Sequence, residues 1–392
     1  MNILSKFNNI KLKKCFNKAI KLYREGKYEK SIKICSYLIN ENFNVIECYN
    51  LLFEIYDVMG DLDNALLHLN NSLKLKPDDI DNIINKGILL YELKKYNESL
   101  ENFNNALLID ENNDYAITGK LIDLIDLNRS DDAKKFLNTI NIDSSDDYIL
   151  DRYSIVFIRL NMMENALEQI NHAISINPKK DRYWNNKGLI LDELNDYDNA
   201  LKCYDNALKI NPKNEISLSG KASVFKDLKD YNNALKYFDE ALTINPDCVE
   251  CWVNKSITYY LLKDYENLEL CINKALELDP NDSNNWNKKA LFLDEAERYD
   301  EALLCFDKAL EINPNALDLY INKSNTLVNL NRLDDALNVI DEAFSLDDNC
   351  RDIALQKVKI LKELSRTDEA EILEKEAQNL PEMEDLPLFY YY

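Results

Sequence analysis

A block of thirty-four residues recurs along this chain, and that period constrains the fold more than any composition could. It is plainest in DELNDYDNALKCYDNALKINP, KDLKDYNNALKYFDEALTINP and DEAERYDEALLCFDKALEINP. Taking the residue expected to start each second helix as an anchor gives Ser31, Ala65, Ser99, Ala133, Ala166, Ala200, Ala234, Leu268, Ala302, Ala336 and Ala370. The spacing is 34 throughout, except 33 between Ala133 and Ala166. Numbering each copy so that its anchor is position 20, apolar residues recur at helical spacing in two segments of about a dozen residues, with a short turn at positions 14 to 17. Each copy therefore reads as a helical hairpin, and a chain of 392 residues, too long for one globular core, reads as an array.

Independent residue types keep the same register. Trp184, Trp252 and Trp286 all stand at position 4, with Tyr49 and Tyr320 there in other copies. These rings are expected to wedge between the two helices of a hairpin. Position 27 carries Ala106, Ala173, Ala207, Ala241, Ala275, Ala309, Ala343 and Ala377. A small side chain at a crossing lets neighbouring helices approach closely. Six of the eight prolines, Pro77, Pro178, Pro212, Pro246, Pro280 and Pro314, fall at position 32, where proline ends one helix and starts the next turn.

Trp184, Gly188, Leu191, Ala200, Tyr204, Ala207 and Pro212 together resemble the signature of the tetratricopeptide repeat family, and the resemblance runs from residue 12 to 384. It implies an all-α superhelix, a solenoid of about eleven helical hairpins. One departure is regular: position 7, apolar in the family pattern, is lysine in nine copies, among them Lys120, Lys221, Lys255 and Lys323. Such a lysine is expected to lay its stem on the helix partner and lift its ammonium into solvent.

Residues 1–11 read as an N-terminal extension, 12–146 as repeats 1–3, 147–384 as repeats 4–11 and 385–392 as an aromatic tail. Around residues 138–148 the third repeat has Ile140 in place of its alanine and Ser145 in place of its proline. A helix does not run comfortably through that Ser/Asp cluster, so a shortened helix and a hinge are expected there. At the other end Pro381 and Pro387 break the helix, leaving Leu386, Leu388, Phe389 and three tyrosines.

Composition narrows function by exclusion. With 70 acidic against 47 basic residues the net charge is −23, which repels a phosphate backbone, so nucleic acid is not expected as a partner. No run of eighteen apolar residues occurs and the opening segment lacks a signal-like apolar stretch, which reads as a soluble, cytoplasmic protein off the membrane. Nine cysteines spread through helical positions are expected as reduced thiols. Cys248 and Cys251 have the spacing of a zinc half-site without a second pair, and neither metal nor cofactor is expected. His68 and His172 read as surface helix residues, too far apart along the array to share chemistry. No glycine-rich phosphate cradle or nucleophilic arrangement is present, so the chain does not read as an enzyme.

In the resembled family the first helices line the concave surface, which implies that positions 2, 5, 6, 9, 12 and 13 face a groove. Position 6 then offers Asn17, Asn85, Asn186, Asn254 and Asn322, whose carboxamides can both donate to and accept from a peptide backbone. Positions 12 and 13 add Asp192, Glu193, Asp227, Asp294 and Glu295 as an acidic wall. Such a groove suits a basic or amphipathic segment of a partner protein. Position 5 has no lysine, which argues against the family's clamp for acidic chaperone tails. The expected function is a protein-interaction scaffold or adaptor within a larger complex. The alternatives are a structural protein that self-associates through the tail around Phe389, and a regulatory subunit of an enzyme.

Overall fold

The computed structural model describes residues 3–142, 144–378 and 380–381, with side chains from residue 9 onward. The aromatic tail 385–392 lies outside the described residues. Among the described residues there are twenty-two helices and no strand, and the chain forms two compact units, Met1–Leu194 and Asn195–Tyr392. In the first unit α1 (Ile3–Arg24) precedes α2 (Tyr28–Asn40), followed by α3 (Val45–Val58), α4 (Leu62–Leu75), α5 (Ile80–Glu92) and α6 (Tyr96–Ile109). Next come α7 (Asp114–Asp126), α8 (Ser130–Leu137), α9 (Asp147–Arg159), α10 (Met163–Ile176) and α11 (Asp181–Glu193). The second unit runs α12 (Tyr197–Ile210), α13 (Glu215–Asp227), α14 (Tyr231–Ile244), α15 (Val249–Leu261), α16 (Tyr265–Leu278) and α17 (Ser283–Glu295). It ends with α18 (Tyr299–Ile312), α19 (Leu317–Asn329), α20 (Leu333–Leu346), α21 (Arg351–Glu363) and α22 (Thr367–Ala377). Odd-numbered helices are the first helices of the repeats, and nearly all start at position 1; even-numbered helices start at position 17, three residues ahead of the anchor expected to start them, because the turn closes by position 16.

Within each unit, packing follows the small residues. The alanines of position 27 are fully buried, as are those of position 20. Where serine replaces alanine at position 20 its hydroxyl must be satisfied. Ser31 donates to the Ala19 carbonyl and Ser99 to the Gly87 carbonyl, each at 2.8 Å. Position 24 supplies the bulk, with Phe103, Tyr204, Phe238 and Phe306 essentially fully buried. Two of these rings explain breaks in the asparagine series. A Cβ on Gly119 would sit 2.4 Å from the Phe103 ring, and one on Gly220 2.6 Å from Tyr204, so position 6 must be glycine there.

Both kinds of connection have a chemical cause. At the hairpin turn, position 15 adopts the left-handed conformation: φ is +62° at Lys229, +60° at Glu297 and +73° at Gly60. The N–H of Asp230 then donates to the Phe225 carbonyl at 2.8 Å, and that of Lys229 to Lys226 at 2.9 Å, closing the first helix in a Schellman motif. Between repeats, Trp184, Trp252 and Trp286 donate their indole N–H to the carbonyls of Pro178, Pro246 and Pro280 at 2.8–2.9 Å. Position 4 thus braces the proline linker, a role beyond the wedge expected of it. The shortened helix at the third repeat is α8, of eight residues, yet Ile140 and Ile142 still pack on the apolar cluster that runs from Leu100 to Ile190. At the far end the Pro381 carbonyl accepts from the Arg351 N–H, closing back on α21.

Nine of the left-handed hairpin turns carry a side chain, and each bears the cost of a Cβ in that conformation. Replacing Glu297 by Gly is expected to stabilise the chain by about 0.5–1 kcal/mol, the relief of strain less glycine's greater chain entropy. Gly60→Ala, with nothing within 4 Å of the added Cβ, is expected to cost about 1 kcal/mol from backbone strain alone. Opposite shifts in the urea midpoint check the pair; unchanged midpoints contradict it.

Candidate functional site

The first helices bring positions 5 and 6 of consecutive repeats into contact. In the first unit the Asn186 amide donates to Asp151 at 2.7 Å, and Arg152 donates its Nε–H to the Thr118 hydroxyl at 2.9 Å. In the second unit Asn322 donates to Asn287 at 3.3 Å. Position 6 of one repeat therefore reaches back to position 5 of the preceding one, which spends the donor of the carboxamide and leaves its oxygen. Asn17 is exposed on α1, while Asn85 on α5 and Asn254 on α15 are half-buried. Asp151 is fully buried; burial pushes its carboxyl up, while Arg182, bonded to it, and Asn186 pull it down.

The acidic positions form a second row at the ends of the first helices. Asp192 is half-buried and Glu193 exposed on α11. In the second unit Asp227 is exposed on α13 beside Lys226 (3.3 Å), and Glu295 accepts a hydrogen bond from Tyr260 of the preceding repeat. That bond, with burial, pushes the Tyr260 hydroxyl up to about 12. Asp294 accepts from Asn329 of the following repeat at 3.4 Å. The same edge in the first unit carries Asp126 bonded to Arg159 and to Tyr91. Contacts between adjacent first helices thus use part of the hydrogen-bonding capacity of Asp126, Asp294 and Glu295.

The lysines of position 7 do something the sequence reading missed. Lys221, Lys255, Lys323 and Lys357 each pair with the aspartate at position 25 of the preceding repeat, Asp205, Asp239, Asp307 and Asp341, at 2.5–2.8 Å. The Lys221 and Lys255 side chains are only 11% exposed, so their ammonium groups are tucked in and not lifted into solvent. Burial works against the charge on Lys221 and is outweighed by Asp205 and the Tyr237 ring 4.5 Å away. Where position 25 is asparagine the pair is lost: Lys120, 3.9 Å from the Phe136 ring centre, is pulled below the usual lysine range by burial and by Arg129. A recurring interval of sixteen residues from Asp to Lys was the available signal.

Four other residues stand out. His68 is not a free surface residue but lies half-buried between the rings of Tyr49 and Tyr56, 5.9 and 5.3 Å away, and burial pulls its imidazole down. His172 is exposed, as expected. Cys248 and Cys251, expected as free thiols, are joined in a disulfide. Asp123, at position 10, is fully buried where other repeats have Leu89, Val156, Ile190 and Val224. Neither carboxyl oxygen makes a hydrogen bond; the neighbouring Ser99 hydroxyl, committed to Gly87, offsets little. Among the described residues no group of three His, Cys, Asp or Glu could hold a metal ion, and no helix is long and apolar enough to cross a membrane.

Paired helices linked by braced prolines, stacked through small crossings and presenting their first helices in a row, define a helical-repeat protein built for contact along a surface. Residues 182–214 and 216–248, 249–282, 271–303 and 295–360 each match a tetratricopeptide repeat model. Residues 182–360 are thus tetratricopeptide repeats, and the chain is a tetratricopeptide repeat protein, a protein-interaction scaffold. No curated protein matches it. Solved structures similar to it include yeast Tom70, 17% identical over 95% of this chain and 92% of that one, with a TM-score of 0.49. Others are a tetratricopeptide repeat protein from Parabacteroides merdae (21% identity, 61% and 95% covered, TM-score 0.46) and YrrB, described as having an unusual peptide-binding site (22%, 46% and 94%, 0.38).

Asp123 gives the site region a pH signature. Burial, eased slightly by Ser99 and reinforced by Asp126, pushes its carboxyl up to about 7. Because the folded value lies above the unfolded one, the penalty is full above about pH 7 and disappears below the ordinary carboxylate range. Asp123→Val is expected to stabilise the chain by roughly 2–4 kcal/mol at pH 8, with the gain shrinking as pH falls towards 4. Urea unfolding of both proteins across that range checks it; parallel curves contradict it.

Proposed function

We propose that the first helices of each unit form a protein-binding face that takes a basic or amphipathic segment of a partner. The observation that carries this reading is the placement of apolar side chains. Tyr115, Tyr148 and Ile216 at position 2, and Leu189 and Leu291 at position 9, are 39–61% exposed, although every repeat has a packed core available for such residues. Apolar surface left in water beside the exposed carboxylates of Glu193, Asp227 and Glu295 is the arrangement that suits an amphipathic cationic ligand. Amide oxygens at Asn186, Asn254 and Asn322 supply acceptors for the backbone N–H groups of such a segment, the bonds of Asn186 and Asn322 within the array using the donor end.

The acidic wall sets orientation and encounter rate, and the apolar floor sets residence. Cytoplasmic location and membership of a larger complex belong to this same proposal. A crosslinking pull-down from the native cell, repeated with Asn186, Asn254 and Asn322 changed to Ala, tests it. The variant is expected to keep its helical circular dichroism and to bind the captured partner roughly tenfold to a hundredfold more weakly, the loss of up to three hydrogen bonds. Full retention of every partner would sink the groove reading.

A further inference from the structure

We infer that Cys248 and Cys251 are a redox-active dithiol that exchanges with low-molecular-weight disulfides, a site distinct from the protein-binding face. Cys248 is the N-cap of α15 and Cys251 lies in its first turn, three residues on, so the helix itself holds the sulfurs together. The Cys251 N–H donates to the Cys248 Sγ at 3.2 Å. A sulfur in that place faces the unsatisfied N–H groups and the positive end of the helix, which favour its thiolate over its thiol.

The two cysteines differ in access. Cys248 is half-buried at the linker between α14 and α15, whereas Cys251 is fully buried against Leu218, Ala241 and Leu242. This fixes an order of events. The Cys248 thiolate attacks one sulfur of an incoming disulfide, RSSR; a bond forms from Cys248 to that sulfur, the old S–S bond breaks, and RS⁻ leaves with the electron pair. Cys251 then gives up its proton, which RS⁻ takes, and its thiolate attacks the Cys248 sulfur. A second RS⁻ departs and picks up a proton from water, in place of the one Cys248 lost when it ionised. Two protein thiols are oxidised to one disulfide and one RSSR is reduced to two RSH, with the structure recording the oxidised state.

None of the other seven cysteines has this combination. Cys35, Cys48, Cys203, Cys271, Cys305 and Cys350 are buried and Cys15 is half-buried, and none of them is in a disulfide. Burial pushes the Cys271 thiol up to about 11 and the Cys305 thiol upward, away from reactivity. At Cys248 the flanking Asp247 and Glu250 are exposed acids, so an uncharged oxidant approaches more readily than an anionic one.

The test uses the full chain, reduced and then exposed under native conditions to the disulfide of β-mercaptoethanol, with remaining thiols alkylated and mapped by mass spectrometry. The wild type is expected to lose two hydrogens from the peptide holding Cys248 and Cys251, with the other seven cysteines alkylated. Cys251→Ser is expected to trap a single mercaptoethanol adduct on Cys248, and Cys248→Ser to leave Cys251 unmodified. The inference is overturned if the wild type keeps all nine thiols at an oxidant level that oxidises the urea-unfolded chain. Adducts in Cys251→Ser that spread over other cysteines overturn it equally.

Discussion

Each helix pair in this chain meets its neighbours at a crossing of small side chains, and the depth of that crossing decides how much apolar surface leaves water. Alanine at positions 20 and 27 is fully buried throughout, so a ring from position 24 such as Phe238 or Phe306 is covered on all sides. A single hairpin has no second surface on which to do this. Dispersion and hydrophobic burial therefore favour stacking of one copy on the next, and the contacts specific to this chain are laid over that stack.

Those overlaid contacts join one repeat to the following one. Lysine at position 7 reaches aspartate at position 25 of the preceding copy; position 6 amides reach position 5; tyrosine at position 12 reaches the acid at 13. They range from part-buried to exposed, and each is of modest strength. Their value lies in register, because a slip of one turn would bury the Lys255 ammonium without Asp239. The first-helix face is consequently a surface already organised by bonds within the array, which would lower the ordering cost of the binding proposed for it.

The thirty-four-residue period, the two helices of each copy and the proline linkers were legible because they are local: backbone geometry and helix periodicity act within one copy. The Lys–Asp pairs were not, since recognising them requires the register between copies, and a lysine taken alone at Lys221 reads as an amphipathic surface residue. His68 was misread for another reason: Tyr49 and Tyr56 stand on the first helix of its own repeat, and which rings face across a hairpin depends on side-chain placement that the periodicity does not give. Asp123 escaped notice because polar residues are abundant in this chain, although valine or isoleucine at position 10 of other repeats marked it as a core position. Of the candidate site, the columns were readable; which amide is spent on a neighbour, as at Asn186 and Asn322, depended on atomic distances.

Nearest-neighbour stacking makes a demand that a single globular core does not. Native-state hydrogen exchange on Phe238→Ala, which empties a fully buried ring site beside Ala222 and Ala234, measures it directly. Protection is predicted to fall most in α13 to α16 and to be unchanged in α21 and α22. An equal loss across every helix of the second unit would contradict the account.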